Sequence, residues 1–462
     1  MENLLQNRNT SPKKVRQVFF QRQPQLSPDS RGMAGVSMKI RVFPDGFAQL
    51  QKSPCALTEN ACSLQEGLVP VMKYFFYKNF NEKKITLIRS STATGPEGRA
   101  TPIFPRQPGE YMQNNLVPHR KLQEYVAALF ASAGVSSGDA ALIARGLVTA
   151  DLRGQESHGV ARAPIYLRRI REGLIAAKPA MKRTSSAPAA VFLDAGNAMG
   201  FVAGHKAVAD AAALAKQFGI AAVGVRNSNH FGIASLYAMQ GMAAGCITMV
   251  YANSTPSIPV WGGRTPFLGT SPLAVGIPGG KEVPYLLDIG MSVAARGKMR
   301  IAMTRGESIP EGLALDPDGN PTTDPAKALA GIALPFGGVK GAGIAVMVDL
   351  LAGAFTGAHF GGSGGVRSLY NNFEEMQNTG HLFLCMKADL FMPMEQFAQR
   401  MDDFVRAAKD SPKMPGVGEI LMPGELESRK AADRMKNGLP LAGETADSLR
   451  EESGKSGVPY PF

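Results

Sequence analysis

The stretch RGQESHGVARAPIYLRRIREG, residues 153–173, contains the residue types that proton transfer and carboxylate binding require. His158 stands in a polar turn shortly before Pro164, and proline is tolerated in the first turn of a helix. The sequence therefore predicts a helix that begins near Arg162. On such a helix Arg162 and Tyr166 are one turn apart on the same face, with His158 just before the N-terminus.

An imidazole titrates near neutral pH, so His158 can donate or accept a proton, and Ser157 stands beside it. A guanidinium such as that of Arg162 can hold a carboxylate through two parallel hydrogen bonds. Together they suit a small carboxylic acid whose neighbouring oxygen or nitrogen gains or loses a proton. Taken alone, the stretch is better explained by a solvated basic face with a capping histidine.

A second candidate, His230, lies in RNSNHFGIAS at the end of the apparent strand IAAVGV. The preceding asparagines and serine can cap the following helix, so this histidine is either a site residue or a structural cap. The other histidines have no polar company and are predicted to be surface or core residues. No two histidines have metal-ligand spacing, and we expect no metal site.

Glycine-rich phosphate motifs are absent, because neither GxGxxG after a strand nor GxxxxGK[ST] occurs. In GGVKGAG, Lys340 at the start of a helix could meet a phosphate together with free N–H groups, although a tight turn into a packed helix explains the glycines as well. Asp288 in DIGMS ends a strand and could hold a ribose hydroxyl or cap the next turn.

Short β-rich runs alternate with helical ones over residues 186–296, which is typical of an α/β fold. Two amphipathic helices are predicted in HRKLQEYVAALFASAG and SSGDAALIARGLVTADLRG. KGAGIAVMVDLLAGAFTGA predicts a long apolar helix, buried on most sides. A strand, HLFLCMKADLF, and an amphipathic helix, MEQFAQRMDDFVRAAKDS, follow it.

The chain of 462 residues is 44% hydrophobic, enough for a large core. Its formal charge is +12, but residues 1–111 hold 16 Lys and Arg against 8 Asp and Glu, a net +8, which leaves +4 for the rest. We predict a disordered or non-native basic N-terminal extension over 1–111, a catalytic region over 112–440, and a polar, peripheral C-terminal tail over 441–462. A nucleic-acid-binding arm is the alternative for the extension, disfavoured because it lacks interleaved aromatic residues.

The four cysteines form no CxxC pair, and no run of 18 uncharged apolar residues occurs. The N-terminus lacks an apolar segment after its first charges. These features predict a cytoplasmic protein that does not enter the membrane.

Seven motifs occur in the order and approximate spacing of one family: RGQESHGVARAPIYLRRIREG, NSNHFG, LGTSP, DIGMS, DPDGNPTTDP, GGVKGAG and MPGE. From about Met112 to about Pro440 the chain resembles the malate/L-lactate dehydrogenase family of the second type, which also includes ureidoglycolate and sulfolactate dehydrogenases and cyclic-imine reductases. The resemblance implies a nicotinamide-binding fold without the Rossmann fingerprint, built on a mixed sheet with flanking helices and with further helices toward both ends. It also implies NAD or NADP as cofactor and a homodimer.

The resemblance assigns roles residue by residue. His158 corresponds to the general acid/base beside Ser157, and His230 resembles the histidine treated in some members as the proton acceptor, so the two compete. Arg162 and Tyr166 would hold the substrate carboxylate, with Thr270 near the substrate. The positions that match cofactor contacts are Ser254, Asp288, Ile289, Gly290, Lys340, Gly341, Pro423, Gly424 and Glu425.

Three positions depart from the family pattern: Ser271 stands for an asparagine, Ala342 for an aromatic residue and Leu313 for a tryptophan. We expect these changes to alter substrate choice rather than to abolish the reaction. The expected reaction is hydride transfer between nicotinamide and C2 of a small 2-hydroxy acid, and a cyclic imine is the alternative substrate. Arg168, Arg169 and Arg171 are left as a solvated basic face.

Overall fold

The computed structural model describes residues 115–462 continuously and four strands before them. Two compact units divide the chain, Met1–Thr101 and Pro102–Phe462. In the first, the strands pair as antiparallel hairpins, β1 with β2 and β3 with β4. These strands are β1 (Met38–Val42), β2 (Ala48–Lys52), β3 (Phe75–Lys78) and β4 (Ile85–Ile88). Apart from these four strands, the N-terminal extension that we predict over residues 1–111 lies outside the described residues.

The second unit alternates strands and helices along its length. Its strands are β5 (Asn115–Val117), β6 (Lys182–Ala187), β7 (Ala190–Ala198), β8 (Ile220–Ser228), β9 (Cys246–Ala252), β10 (Pro256–Ile258), β11 (Leu268–Gly269), β12 (Leu273–Ile277), β13 (Tyr285–Ile289), β14 (Ala314–Leu315), β15 (Ile332–Ala333), β16 (Thr379–Lys387) and β17 (Leu439–Leu441). Its α-helices are α1 (His119–Ser132), α2 (Ser137–Leu152), α3 (Ala163–Arg171), α4 (Gly200–Phe218), α5 (Ser235–Ala243), α6 (Arg296–Arg305), α7 (Pro325–Ala330), α8 (Gly338–Asp349), α9 (Met394–Asp410), α10 (Glu425–Asn437) and α11 (Gly443–Ser456).

A seven-stranded mixed sheet in the order β13-β12-β9-β16-β8-β7-β6 forms the centre of this unit. Only β7 and β8 run parallel within it, and the other neighbours are antiparallel. Parallel neighbours need a crossover connection, which α4 supplies between these two strands. The prediction of a mixed α/β fold is therefore confirmed.

Three apolar cores hold the elements together. One lies between the sheet and helices α4 and α5, where alanines such as Ala203, Ala207 and Ala211 allow close packing. Another packs α8 on the sheet through residues such as Val348 and Leu382. The third joins α1, α2, α3 and α11. The two predicted N-terminal helices are confirmed, and Ser136 caps α2 by accepting the Asp139 N–H at 3.2 Å.

Helix α8 is less buried than predicted. Val339, Met347 and Leu350 are 58%, 40% and 53% exposed, and Gly343 is also exposed. Their spacing of three to four residues places them on one helical face. The helix thus packs one side on the sheet and presents an apolar stripe on the other, and a π-helical turn, Leu350–Ala354, follows it.

The segment after Pro440, predicted to be peripheral, instead packs into a core. Strand β17 pairs with β5, and Leu449 of α11 is 0% exposed. Tyr125 of α1 donates its hydroxyl hydrogen bond to the Leu449 carbonyl at 2.7 Å. Buried Glu452 accepts from Arg171 at 2.8 Å, so this arginine joins α11 to α3 while its side chain stays exposed, as predicted.

No helix among residues 115–462 is both long enough and apolar enough to cross a membrane.

Candidate functional site

The loop that carries His158 is fixed to the end of α2. Asp151, in the last turn of α2, is 3% exposed and accepts the Val160 N–H at 2.8 Å. A Cβ atom at Gly159 would lie 1.8 Å from the Asp151 Oδ1 atom, so the position accepts only glycine. Burial raises the pKa of Asp151 to about 7. The glycine of the SHG motif is therefore required by a close approach and not by a positive φ.

His158 and His230 lie together although 72 positions separate them in the chain. Their rings stack with centroids 5.5 Å apart and planes 25° from parallel. Burial, followed by the charge of Arg162, lowers the pKa of His158 to about 4. Burial also holds the pKa of His230 well below its ordinary value. Both rings are thus neutral at pH 7, the form in which an imidazole can accept a proton.

The tautomer of His230 follows from its hydrogen bonds. The Gly232 N–H donates to His230 Nδ1 at 3.2 Å, and the Tyr166 hydroxyl lies 2.6 Å from the same atom. Because an N–H can only donate, Nδ1 is an acceptor and the ring proton is on Nε2. The backbone N–H of His230 donates to Gln377 Oε1 at 2.8 Å.

Tyr166 has a different contact from the predicted one. Its side chain is 0% exposed and its hydroxyl bonds to His230. Burial raises the pKa of Tyr166, which keeps the phenol protonated. The residue orients His230 from within the core and has no surface with which to hold a carboxylate.

Arg162 lies at the start of α3 as predicted. Its Nε donates to the Ser157 carbonyl at 2.6 Å, and its guanidinium lies over the Tyr370 ring, 4.7 Å from the centroid. Its Nη groups donate to no residue within 115–462 and can bind a carboxylate. The Ser157 hydroxyl lies 2.9 Å from His158 Nδ1, so it can fix the tautomer of that ring.

Arg169 is buried, contrary to its assignment to a solvated basic face. It is 0% exposed and donates to the carbonyls of Asn372 and Glu375, the latter at 2.9 Å. These bonds anchor the loop that supplies Tyr370 to Arg162 and Gln377 to His230. A buried guanidinium must bond to acceptors, and loop carbonyls supply them.

Asp288, at the end of β13, accepts the N–H of Ser235 at 2.8 Å. Asp288 therefore caps the N-terminus of α5 and not the turn that follows β13. Burial raises the pKa of Asp288. Gly290 lies against Thr270, because a Cβ there would be 3.2 Å from the Thr270 carbonyl oxygen. The structure thus brings Asp288, Ile289 and Gly290 beside Thr270.

The MPGE turn adjoins β13. The Pro423 carbonyl accepts the Leu286 N–H at 3.1 Å, and a Cβ at Gly424, where φ is +85°, would be 2.7 Å from the Leu286 Cβ. Glu425 is 3% exposed, and its carboxylate accepts from Lys409 and Arg429, each at 2.6 Å. Protein groups therefore occupy its oxygens.

The remaining cofactor candidates lie near β11 and α8. The Ser254 hydroxyl is buried without a hydrogen-bond partner among the described residues. Lys340 is exposed in the first turn of α8 and pairs with no acceptor in the 115–462 segment. Gly341 packs so closely that a Cβ would be 1.7 Å from the Phe336 carbonyl oxygen. No hydrogen bond or ring contact in that segment joins these residues to the histidine pair.

Sequence reasoning missed Asp151, Arg153, Tyr370 and Gln377. The helical spacing contained a signal for the burial of Asp151, because this residue falls on the same face of α2 as buried Ala144 and Leu147. Tyr370 and Gln377 gave none, since they lie in an irregular loop that contacts with distant residues such as Arg169 and Thr255 position. Within the described residues, no group of three His, Cys, Asp or Glu side chains could hold a metal ion.

The histidine pair beside the Nη groups of Arg162, on a mixed α/β fold, is an arrangement that can transfer a proton next to a bound carboxylate. Residues 117–450 match the family model of malate/L-lactate dehydrogenase. The chain belongs to this family, and the predicted resemblance is confirmed.

Three relatives illustrate the match. L-Sulfolactate dehydrogenase from Methanocaldococcus jannaschii is 38% identical over 325 residues, 70% of this chain and 92% of the relative. Its solved structure has a TM-score of 0.71 and 35% identity, covering 75% of this chain and 98% of that one. Ureidoglycolate dehydrogenase (NAD(+)) from Escherichia coli K12 is 33% identical over 319 residues, 68% of this chain and 90% of the relative. The structure of delta1-piperideine-2-carboxylate reductase from Pseudomonas syringae has a TM-score of 0.66 and 29% identity, covering 73% and 99% of the two chains.

Substituting Gly159 by alanine tests the contact between the loop and α2. The new methyl group would overlap Asp151, and overpacking of this kind costs about 1–3 kcal/mol of unfolding free energy. We expect a lower melting temperature and a fall in kcat, because His158 moves with the loop. Gly138→Ala is the control, because Gly138 lies in α2 where a Cβ would have no neighbour within 4 Å. This variant should keep the kcat of the wild type and either keep or slightly raise its melting temperature. Equal behaviour of the two variants would contradict this account.

Proposed function

We propose that this protein is an NAD- or NADP-dependent oxidoreductase that interconverts a small 2-hydroxy acid and the corresponding 2-oxo acid. The observation that carries the proposal is the neutral His158, stacked on His230 and adjacent to the free Nη groups of Arg162. Family membership supports it, and the relatives include enzymes named for NAD(+) and for NADP(+).

The residues that resemble cofactor contacts suit a nicotinamide dinucleotide. Within the part of the chain that the structure describes, the Ser254 hydroxyl is buried without a partner and the Lys340 ammonium group, at the start of α8, pairs with no acceptor. Gly290, just after β13, is exposed. When bound, the cofactor would supply or accept the hydride. Glu425 would act through the turn that it stabilises, since its oxygens are occupied.

In the direction of alcohol oxidation, Arg162 binds the substrate carboxylate through its two Nη groups, and stacking on Tyr370 fixes their plane. His158 accepts the hydroxyl proton at Nε2 when its Nδ1–H donates to the Ser157 hydroxyl. His230 is the weaker candidate for the base, because its Nδ1 accepts two hydrogen bonds and its Nε2 already carries the proton. Its Nε2–H can instead donate to the substrate oxygen.

A cyclic imine remains the second candidate substrate. The solved piperideine-2-carboxylate reductase shares the fold, and the same side chains could bind the ring carboxylate and deliver a proton to its nitrogen. The test follows nicotinamide absorbance with NADH and with NADPH against a panel of 2-oxo acids and cyclic imines. Turnover of no compound in the panel would reject the proposal.

We infer that residues 112–440 hold the catalytic residues and that residues 1–111 are an extension that catalysis does not need. The panel should therefore give the same kcat for the full chain and for a chain that begins at Met112. If the extension binds nucleic acid, its removal should abolish a salt-sensitive interaction without changing turnover.

His158→Ala should lower kcat by about 100-fold or more while KM changes little, because a proton acceptor acts mainly in the transition state. Steady-state kinetics in both directions measures this split. His119→Ala, at the start of α1 and outside the site, is the control. If the His158 variant retained most of its turnover and His230→Ala did not, the base would be His230.

Arg162→Ala should mainly weaken substrate binding. Hydrogen bonds between charged groups contribute about 1.5–3 kcal/mol, which corresponds to roughly a 10- to 100-fold rise in KM and in the inhibition constant of a carboxylate inhibitor. Arg183→Ala, at an exposed arginine on β6 that pairs with Asp210, is the control. Unchanged inhibitor affinity in the Arg162 variant would remove Arg162 from the substrate site.

We further propose a homodimer that uses the apolar stripe of α8, Val339, Gly343, Met347 and Leu350. An exposed apolar surface of this kind is typical of a subunit contact. A cytoplasmic location is also proposed, since the two described cysteines, Cys246 and Cys385, are free thiols.

Met347→Glu should convert the dimer to monomer, because a carboxylate would be buried in the contact without a partner. Light scattering with size-exclusion chromatography measures the mass. Met414→Glu, at a methionine that is 74% exposed in a loop, should leave the mass unchanged. A wild-type monomer, or a dimer in both variants, would exclude this stripe.

A further inference from the structure

Arg153, at the C-terminus of α2, has a buried Nε that donates to no acceptor among the described residues. The residue is only 7% exposed, and its Nε is inaccessible to solvent and unbonded. No ion pair or side-chain hydrogen bond to it occurs within residues 115–462. More than 90% of buried polar groups in proteins are bonded, so this residue requires an explanation.

The surroundings of Arg153 place it at the end of β13. Asp288 and Glu427 both raise its pKa, opposing the lowering by burial, so both carboxylates lie near its guanidinium. Asp288 belongs to the proposed cofactor positions, and Glu427 lies in the first turn of α10, directly after the MPGE turn. The turn that carries Arg153 packs on α10, because Gly154 lies against Lys430, and α10 directly follows the MPGE turn proposed to contact the cofactor.

A second cation lies close by. A Cβ at Gly154, where φ is +78°, would be 2.9 Å from Lys430 Cδ and 3.2 Å from its Nζ. Gln155, the next residue, has a buried Oε1 without a partner among the described residues. The turn after α2 thus brings together a guanidinium, an ammonium group and an amide oxygen that lacks a hydrogen bond.

We propose that Arg153 binds a phosphate group of the nicotinamide dinucleotide. A guanidinium has only donors, so its missing partner must be an acceptor, and phosphate oxygens match its planar fork. The phosphate belongs either to the diphosphate bridge, present in both cofactors, or to the 2′-phosphate of NADP alone. The inference rests on the proposed function and adds to it a residue that neither the sequence motifs nor the family resemblance assigned to the cofactor.

A purely structural role predicts the opposite effect on stability. A structural arginine stabilises the fold through its bonds, so its removal lowers the melting temperature. An arginine whose donors lack acceptors instead adds little or no stability to the free protein, because the nearby charges of Glu427 and Asp288 only partly offset its lost hydration. Replacement by methionine, which has a similar length and no charge, separates the two roles.

The experiment measures cofactor affinity directly, by fluorescence titration of NADH and NADPH and by calorimetry with AMP and 2′,5′-ADP, for wild type, Arg153→Met and Arg153→Lys. Arg153→Met should weaken binding by roughly 10- to 100-fold, and Arg153→Lys should restore part of the loss, since it keeps the charge but not the fork. Without cofactor, the melting temperature of Arg153→Met should equal or exceed that of wild type. Arg145→Met, at an exposed arginine on the same helix, should change neither quantity.

Equal losses for NADH and NADPH would identify the diphosphate, and a loss confined to NADPH and 2′,5′-ADP would identify the 2′-phosphate. Both outcomes support the proposal. Unchanged affinities, or a melting temperature that falls together with affinity, would overturn it. If wild type bound neither dinucleotide, the proposed function would fail as well, which distinguishes that failure from a failure of Arg153 alone.

Discussion

The active-site loop depends on one contact, the approach of Gly159 and Val160 to the buried carboxylate of Asp151. The helix end and the loop meet without an intervening side chain, so the Val160 N–H reaches the carboxylate at 2.8 Å. This contact ends α2, turns the chain and begins α3 within ten residues. His158 precedes the contact and Arg162 follows it, so both inherit their positions from it. A carboxylate with few other acceptors nearby makes the position of the loop specific, because an unbonded buried N–H is costly.

Electrostatics then divides the work between the residues that this loop presents. The positive charge of Arg162 and the surrounding burial both favour neutral imidazoles, so the histidines are ready to accept or share a proton while the guanidinium stays charged. Supporting contacts reduce the remaining freedom: Ser157 for His158, Tyr166 for His230 and Tyr370 for Arg162. Preorganisation of this kind lowers the reorganisation that a reaction requires. Under the proposed function the two stacked rings have different roles, because a different set of hydrogen bonds already occupies each ring.

Elements with a strong period were predictable, and irregular or long-range features were not. The helices α1 and α2, the strands β7, β8 and β9 and the start of α3 follow from local apolar spacing and capping residues. The exposed stripe of α8 was missed because an apolar face gives the same pattern whether protein or solvent covers it. The packing of α11 was missed because few apolar residues, such as Leu449, suffice when a partner helix is at hand. Arg169 was misjudged because its acceptors are carbonyls some 200 residues away in the chain.

The sequence by itself determined the fold class and the family, and it supplied the candidate residues for the proposed chemistry, since each follows from local spacing or from ordered motifs. Tertiary structure decided which groups those residues contact. It joined His158 to His230, removed Tyr166 from the substrate and made it a support for His230, and filled the oxygens of Glu425 with protein donors. It also left the Arg153 guanidinium buried beside Asp288. Each of these outcomes depends on which groups meet across the fold and on how much water remains between them. Neither the long-range contacts nor the degree of burial produces a periodic pattern along the chain that could be recognised in the sequence.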